Sequence, residues 1–239
     1  MRNLDKKRDC EVICLNYTFS LCEIFYNMSL EQYNLYKSNK KELDDICKGN
    51  YYFDVLSHAP EENIAFHSCY NKAYSAAISS IVFQAFAIEA FINFYGSIKL
   101  GHHVFHDHYD RISIRDKIII ISKIATGKDF PKGEKVYELI NKVIRQRDKL
   151  VHHKGKEIRF EDCSEEQFHK TMHMNIDFIF DDIDDLVKTY PLFIKTIAIL
   201  EGKEIDAYNE QQLNLTNEFL RVIKNTIHKA FLGPEEETD

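Results

Sequence analysis

An all-α fold is what this sequence predicts, on three observations. Four prolines and eight glycines in 239 residues leave little of the punctuation that strands and tight turns require. In the clearest segment Val136, Leu139, Ile140, Val143, Ile144, Leu150 and Val151 recur mostly at three- and four-residue steps, the period of a helix with one buried face. No alternating run is followed by a partner strand across a hairpin turn. At 44% hydrophobic, the chain can bury a real core, in one domain or in one with an extension. The expected organisation is an N-terminal helical extension over 1–60, a core over 61–160, and C-terminal helices over 161–239 that pack on the core and end in an acidic tail at 233–239.

Taken in order, residues 11–25 fit two periods. Ile13, Leu15, Tyr17, Phe19 and Leu21 alternate like a strand, while Val12, Leu15, Phe19 and Cys22 fit a helix, which is preferred because no partner strand follows. Residues 29–46 predict a polar helix, with Ser29 and Gln32 placed as a capping box. Residues 49–60 are the first break, and a long helix follows over 63–98. Residues 101–110 read as a His-rich loop. Residues 114–124 predict a helix despite the β-branched run Ile118 to Ile121, because Lys117 and Lys123 bracket it. A loop over 129–133 leads into the amphipathic helix that begins near Lys132, and Gly155 is a plausible stop. After a polar connection over 154–163, Ser164 and Gln167 form a second capping-box pattern, opening a helix to Tyr190. Pro191 sits at or near a boundary, residues 192–200 continue to a stop at Gly202, and 209–231 predict a last amphipathic helix. There is no internal repeat.

Charge is unevenly placed. The whole chain carries −7, yet residues 128–159 hold ten Lys/Arg against five Asp/Glu, and residues 177–206 hold eight Asp/Glu against three Lys. A basic helix in an acidic protein suits localised phosphate binding, whereas the plain alternative is an ordinary solvated helix face. The six cysteines show no CxxC and no paired spacing, which reads as scattered reduced thiols in a cytoplasmic protein. The charged residues 2–9 are followed by an apolar stretch broken by Asn16, Thr18, Ser20 and Glu23, so no secretory signal is expected. Residues 73–88 lack charge but carry Ser75, Ser79, Ser80 and Gln84, which favours a buried bundle helix over a membrane span. Two histidine groups, His102/His103/His106/His108 and His169/His173, lie outside any HExxH pattern, and no metal or other cofactor is expected.

The chemistry-bearing stretch is Arg147-Asp148-Lys149-Leu150-Val151-His152-His153, closing the amphipathic helix. Asp148 and His152 are four apart and share a helical face. Arg147 lies about 140° around from His152, with a stem long enough to swing back. As an Arg, a polar residue, three more residues and a His at the end of such a helix, this resembles the signature of HEPN domains. Arg145 with His152 and Arg221 with His228 have related spacings, but only Arg147 is followed by the polar residue the family favours. Ala87-Ile88-Glu89-Ala90-Phe91-Ile92-Asn93 resembles the end of the long helix that precedes the motif helix there, and Ser113 to Lys117 and Thr126-Gly127 follow in the usual order. The resemblance covers roughly residues 65–155.

The resemblance implies an up-and-down HEPN-like helical bundle with additional N- and C-terminal helices. It also implies a metal-independent endoribonuclease acting on single-stranded RNA, as a homodimer whose motifs face each other. A toxin–antitoxin or phage-defence setting follows, with an antitoxin or other partner protein. Arg147, Asp148 and His152 would be catalytic, with Glu89 and His153 in support, and Lys142, Arg145, Lys149 and Lys154 would bind RNA. One toxin subgroup has a Tyr two residues after the motif His as the target of a partner nucleotidyltransferase. Lys154 stands there in this chain, so that partner is not expected. The family also contains non-catalytic modules that bind RNA, nucleotide or protein, and a structural helical protein with a chance motif is the remaining alternative.

Overall fold

The computed structural model describes residues 2–48, 60–151 and 182–202, with side chains over 21–48, 64–150 and 182–202. Six helices carry most of them: α1 Arg2–Cys47, α2 Pro60–Leu100, α3 His102–His108, α4 Ile114–Thr126, α5 Lys135–Val151 and α6 Thr189–Leu200. Residues 182–186 are also helical, and no strand occurs among the described residues. The protein is all-α there. The predicted break over 49–59, the stop at Gly155, the connection over 154–163, the Ser164 cap, the helix over 209–231 and the tail at 233–239 lie outside the described residues.

Two sequence expectations give way to longer-range packing. Residues 11–25 and 29–46 are one continuous 46-residue helix, so Ser29 caps nothing. Its hydroxyl is fully buried and donates to the Ser80 carbonyl at 2.9 Å, an interhelical bond no local signal announces. The His-rich stretch is a helix rather than a loop: Gly101 takes φ 84° and α3 follows at once, anchored by buried Phe105. The later break falls at residues 187–188, near the boundary expected at Pro191, which sits in the first turn of α6 where its missing N–H costs nothing. By contrast α4 forms where its sequence predicts a helix, with a cap at each end. Ser113 Oγ accepts from Asp116 N at 3.2 Å, and Gly127 closes the helix at φ 72°.

Contacts gather the chain into two compact units. The second, Ile24–Phe86 with Asn141–Lys188, is built on an antiparallel pairing of α1 with α2. Phe25 lies 5.4 Å from Phe86, Ser29 bonds Ser80, and Leu43 and Cys47 cluster with Phe66 and Cys69. Rising numbers along α1 thus meet falling numbers along α2. Ser29, Tyr36 and Leu43 are buried at seven-residue steps on α1, and Phe66, Cys69, Ala73, Ala76 and Ser80 at alternating three- and four-residue steps on α2. Such spacing keeps one seam facing a partner helix over many turns. Gln84 Nε2 donates to the Val187 carbonyl, and Lys142 pairs with Asp182 at 2.8 Å.

The first unit, Met1–Glu23, Ala87–Ile140 and Thr189–Asp239, centres on aromatic rings. Phe91 on α2 meets Tyr190 and Phe193 of α6 edge to face, at 6.3 and 5.4 Å, and Phe130 lies 6.0 Å from Phe193. The two T-shaped contacts of Phe91 place positive ring edges on negative faces. Glu201, just past α6, accepts from Tyr95 Oη at 2.8 Å and pairs with Lys99 at 2.6 Å, tying the end of α6 to α2. On α2, Ile64–Leu100 is long and apolar enough to cross a membrane by length and composition alone. Yet 56% of its most apolar window is buried inside the protein, as a bundle helix requires.

Candidate functional site

The motif residues that the structure describes sit on the last turns of α5. That helix forms where the sequence expects it, because Val136, Leu139, Ile140, Val143 and Ile144 supply a continuous buried stripe. Arg147 and Asp148 fall beside this stripe and reach each other. Arg147 Nη1 donates to Asp148 Oδ1 at 3.0 Å, with the Arg side chain 18% exposed and the Asp side chain 47% exposed. The pair is an inward-leaning guanidinium oriented by a more open carboxylate. The carboxylate fixes the plane of the guanidinium, whose Nε is buried. His152, His153 and Lys154 lie outside the described residues.

The cations expected to line an RNA path divide into two kinds. Arg145 and Lys149 are exposed on α5, whereas Lys142 is engaged by Asp182 at 2.8 Å and only a quarter exposed. Part of the acidic stretch therefore neutralises part of the basic one. Glu89, expected to support the motif, is half-buried on α2 and acts on Lys117: its charge, with that of Asp110, favours the protonated ammonium.

Lys117 is a residue whose burial the sequence reading missed. Lys117 and Lys123 bracket the β-branched run Ile118 to Ile121 within α4, but only 3% of the Lys117 side chain is exposed. Its Nζ donates to Asn93 Oδ1 at 2.9 Å, lies 4.0 Å from Asp110 and sits 5.8 Å from the centre of the Phe105 ring. Burial pushes its pKa down, and the two carboxylates oppose that shift. The signal was available, since Ile114, Lys117, Ile118 and Ile121 share one stripe at helical spacing. Gln146 is a comparable case. It is buried on α5, three residues beyond Val143, and neither of its amide atoms has a hydrogen-bond partner.

Among the described residues no three His, Cys, Asp or Glu side chains stand together as a metal-holding group. His102, His103, His106 and His108 are all exposed on α3, and His169 and His173 lie outside the described residues. No protein-family model matches this sequence, and neither a curated protein nor a solved structure matches it.

Proposed function

We propose that this protein is a HEPN-type, metal-independent endoribonuclease of the cytoplasm that cuts single-stranded RNA and serves in phage defence or as a toxin. The observation that carries the reading is the Arg147–Asp148 pair, a half-buried guanidinium oriented by its neighbour at the end of an amphipathic helix. RNA brings its own nucleophile. A base removes the 2′-hydroxyl proton, the 2′-oxygen attacks phosphorus, and the 5′-oxygen leaves with a proton from an acid. The products are a 2′,3′-cyclic phosphate and a 5′-hydroxyl. Arg147 stabilises the charge gathering on the phosphorane oxygens, and His152 serves as acid or base, with an imidazole suited to either task near neutral pH. One such histidine per motif suits a homodimer in which two motifs supply the two proton transfers. Exposed Arg145 and Lys149 extend the cationic surface along the strand.

The test is cleavage of a labelled single-stranded RNA by the full chain in excess EDTA. Cleavage is expected, with cyclic-phosphate ends. Arg147→Ala and His152→Ala should each lower the rate by roughly 10²–10⁴, the usual share of one acid–base or charge-stabilising group. Arg147→Lys should rescue little, because a point charge does not replace a two-pronged donor. RNA bound with normal salt dependence and never cut would replace the nuclease by a binding module.

A further inference from the structure

We propose that the exposed face of α3 is a binding site for a late first-row divalent metal ion, held by His102 and His106 as a two-imidazole chelate. The two residues are four apart on a helix and therefore share a face. Their ring centres are 6.0 Å apart, with planes tilted by 46°. Two imidazoles on one ion, each bound at about 2 Å, place their ring centres roughly 5 Å apart. Closing the difference takes a small rotation about the side-chain torsions, which the exposure of both side chains allows. His103 touches His102 with rings 5.9 Å apart, but it stands one residue around the helix from the shared face.

The chelate is preorganised by what lies beneath it. Phe105 is the one buried residue of α3, and its ring fits against α2 at Gly96, where a Cβ would stand 2.6 Å from two ring atoms. The Phe105 carbonyl accepts from the N–H groups of Tyr109 and Asp110, which closes the helix on its far side. The backbone that carries the two histidines is thus fixed before any ion arrives, and the ordering cost of a free loop is avoided. Asp110 does not complete the site, since it faces Lys117 at 4.0 Å. A two-nitrogen donor set suits copper, nickel and zinc and disfavours magnesium and calcium, and it leaves the remaining positions to water. This site is independent of the ribonuclease reading, which concerns residues of the other unit and needs no metal.

The experiment is calorimetric titration of copper(II) into the full chain, repeated on His102→Ala, His106→Ala, the double variant, His103→Ala and His108→Ala. Ions bound by other histidines persist in the double variant, which serves as the baseline for subtraction. We expect the wild type to bind one equivalent more than that baseline. Either single loss at 102 or 106 should weaken this site about tenfold or more, while the losses at 103 and 108 leave it unchanged. Copper EPR should show two coordinated imidazole nitrogens in the wild type and one in each single variant. The four positions are exposed, and circular dichroism with the His106→Gln variant checks that helicity is retained. Superimposable isotherms for wild type and double variant would overturn the proposal, as would an equal effect of His103→Ala and His106→Ala.

Discussion

Lys117 is a charge held inside the first unit by three polar groups and one ring, and its effect on stability has a definite sign with pH. Because burial lowers its pKa in the folded state, the unfolded chain binds this proton more tightly. Stability should therefore rise as pH climbs towards the ordinary lysine value of 10.5. Buried thiols set the upper limit of that window, because burial raises Cys22, Cys47 and Cys69 above their ordinary 9.0, so their contribution is present below 9.0 and lost above it; tyrosines follow. Burial raises Tyr26 to about 12, and Tyr95 is raised by burial together with Glu201, so their contribution is present below 10 and lost above it. Urea unfolding from pH 7 to 9 should show the rise in the wild type and a flatter profile in Lys117→Met. A second residue-scale prediction concerns Glu201, whose side chain is only 10% exposed while it serves both Tyr95 and Lys99. Glu201→Ala should cost about 1–3 kcal/mol by leaving the Tyr95 hydroxyl without its acceptor, read as a lower denaturant midpoint at unchanged slope. Neither role is visible from composition. Lys117 was legible only to someone who trusted helical spacing over the habit of placing lysine in water, and Glu201 pairs with residues a hundred positions away.

At the scale of the element, Gly96 is where α2 admits α3. An alanine within a helix usually gains stability over glycine, by roughly 0.4–1 kcal/mol. Here the added carbon would meet two atoms of the buried Phe105 ring at 2.6 Å. Gly96→Ala should instead destabilise by about 1–3 kcal/mol, as overpacked sites do, and a thermal melt checks the sign. Elements whose own residues carry the signal were readable: α4 forms where a helix was expected despite the run Ile118 to Ile121, and α5 follows its apolar stripe. Those whose ends are set from elsewhere were not. Ser29 looked like a cap because serine and glutamine stand three apart, but its hydroxyl is consumed by Ser80, fifty-one residues away. The histidines of α3 looked like a loop because one buried Phe carries too little periodicity to announce seven residues of helix.

Over the whole molecule, the proposed chemistry calls for two chains. Light scattering at micromolar concentration should give twice 28.2 kDa, and a monomer would leave one imidazole to perform both proton transfers. Of the expected site, Arg147 and Asp148 are described and contact each other, whereas the sequence set Asp148 beside His152; the engagement of Lys142 by Asp182 depends on a contact across forty residues. The molecule also carries its own clock for opening. Cys22 is buried in the first unit, Cys47 and Cys69 in the second, and burial raises all three thiols, Cys22 to about 12. Alkylation proceeds through the thiolate, so in the closed protein these sulfurs should be almost inert. Replace Cys10, Cys14 and Cys163 with serine, and the remaining reactivity times excursions of the interior into solvent. Equal rates at Cys22 and at the Cys47–Cys69 pair, both rising together in mild denaturant, would mean that the two halves breathe as one. Unequal rates would show which of them lets go first.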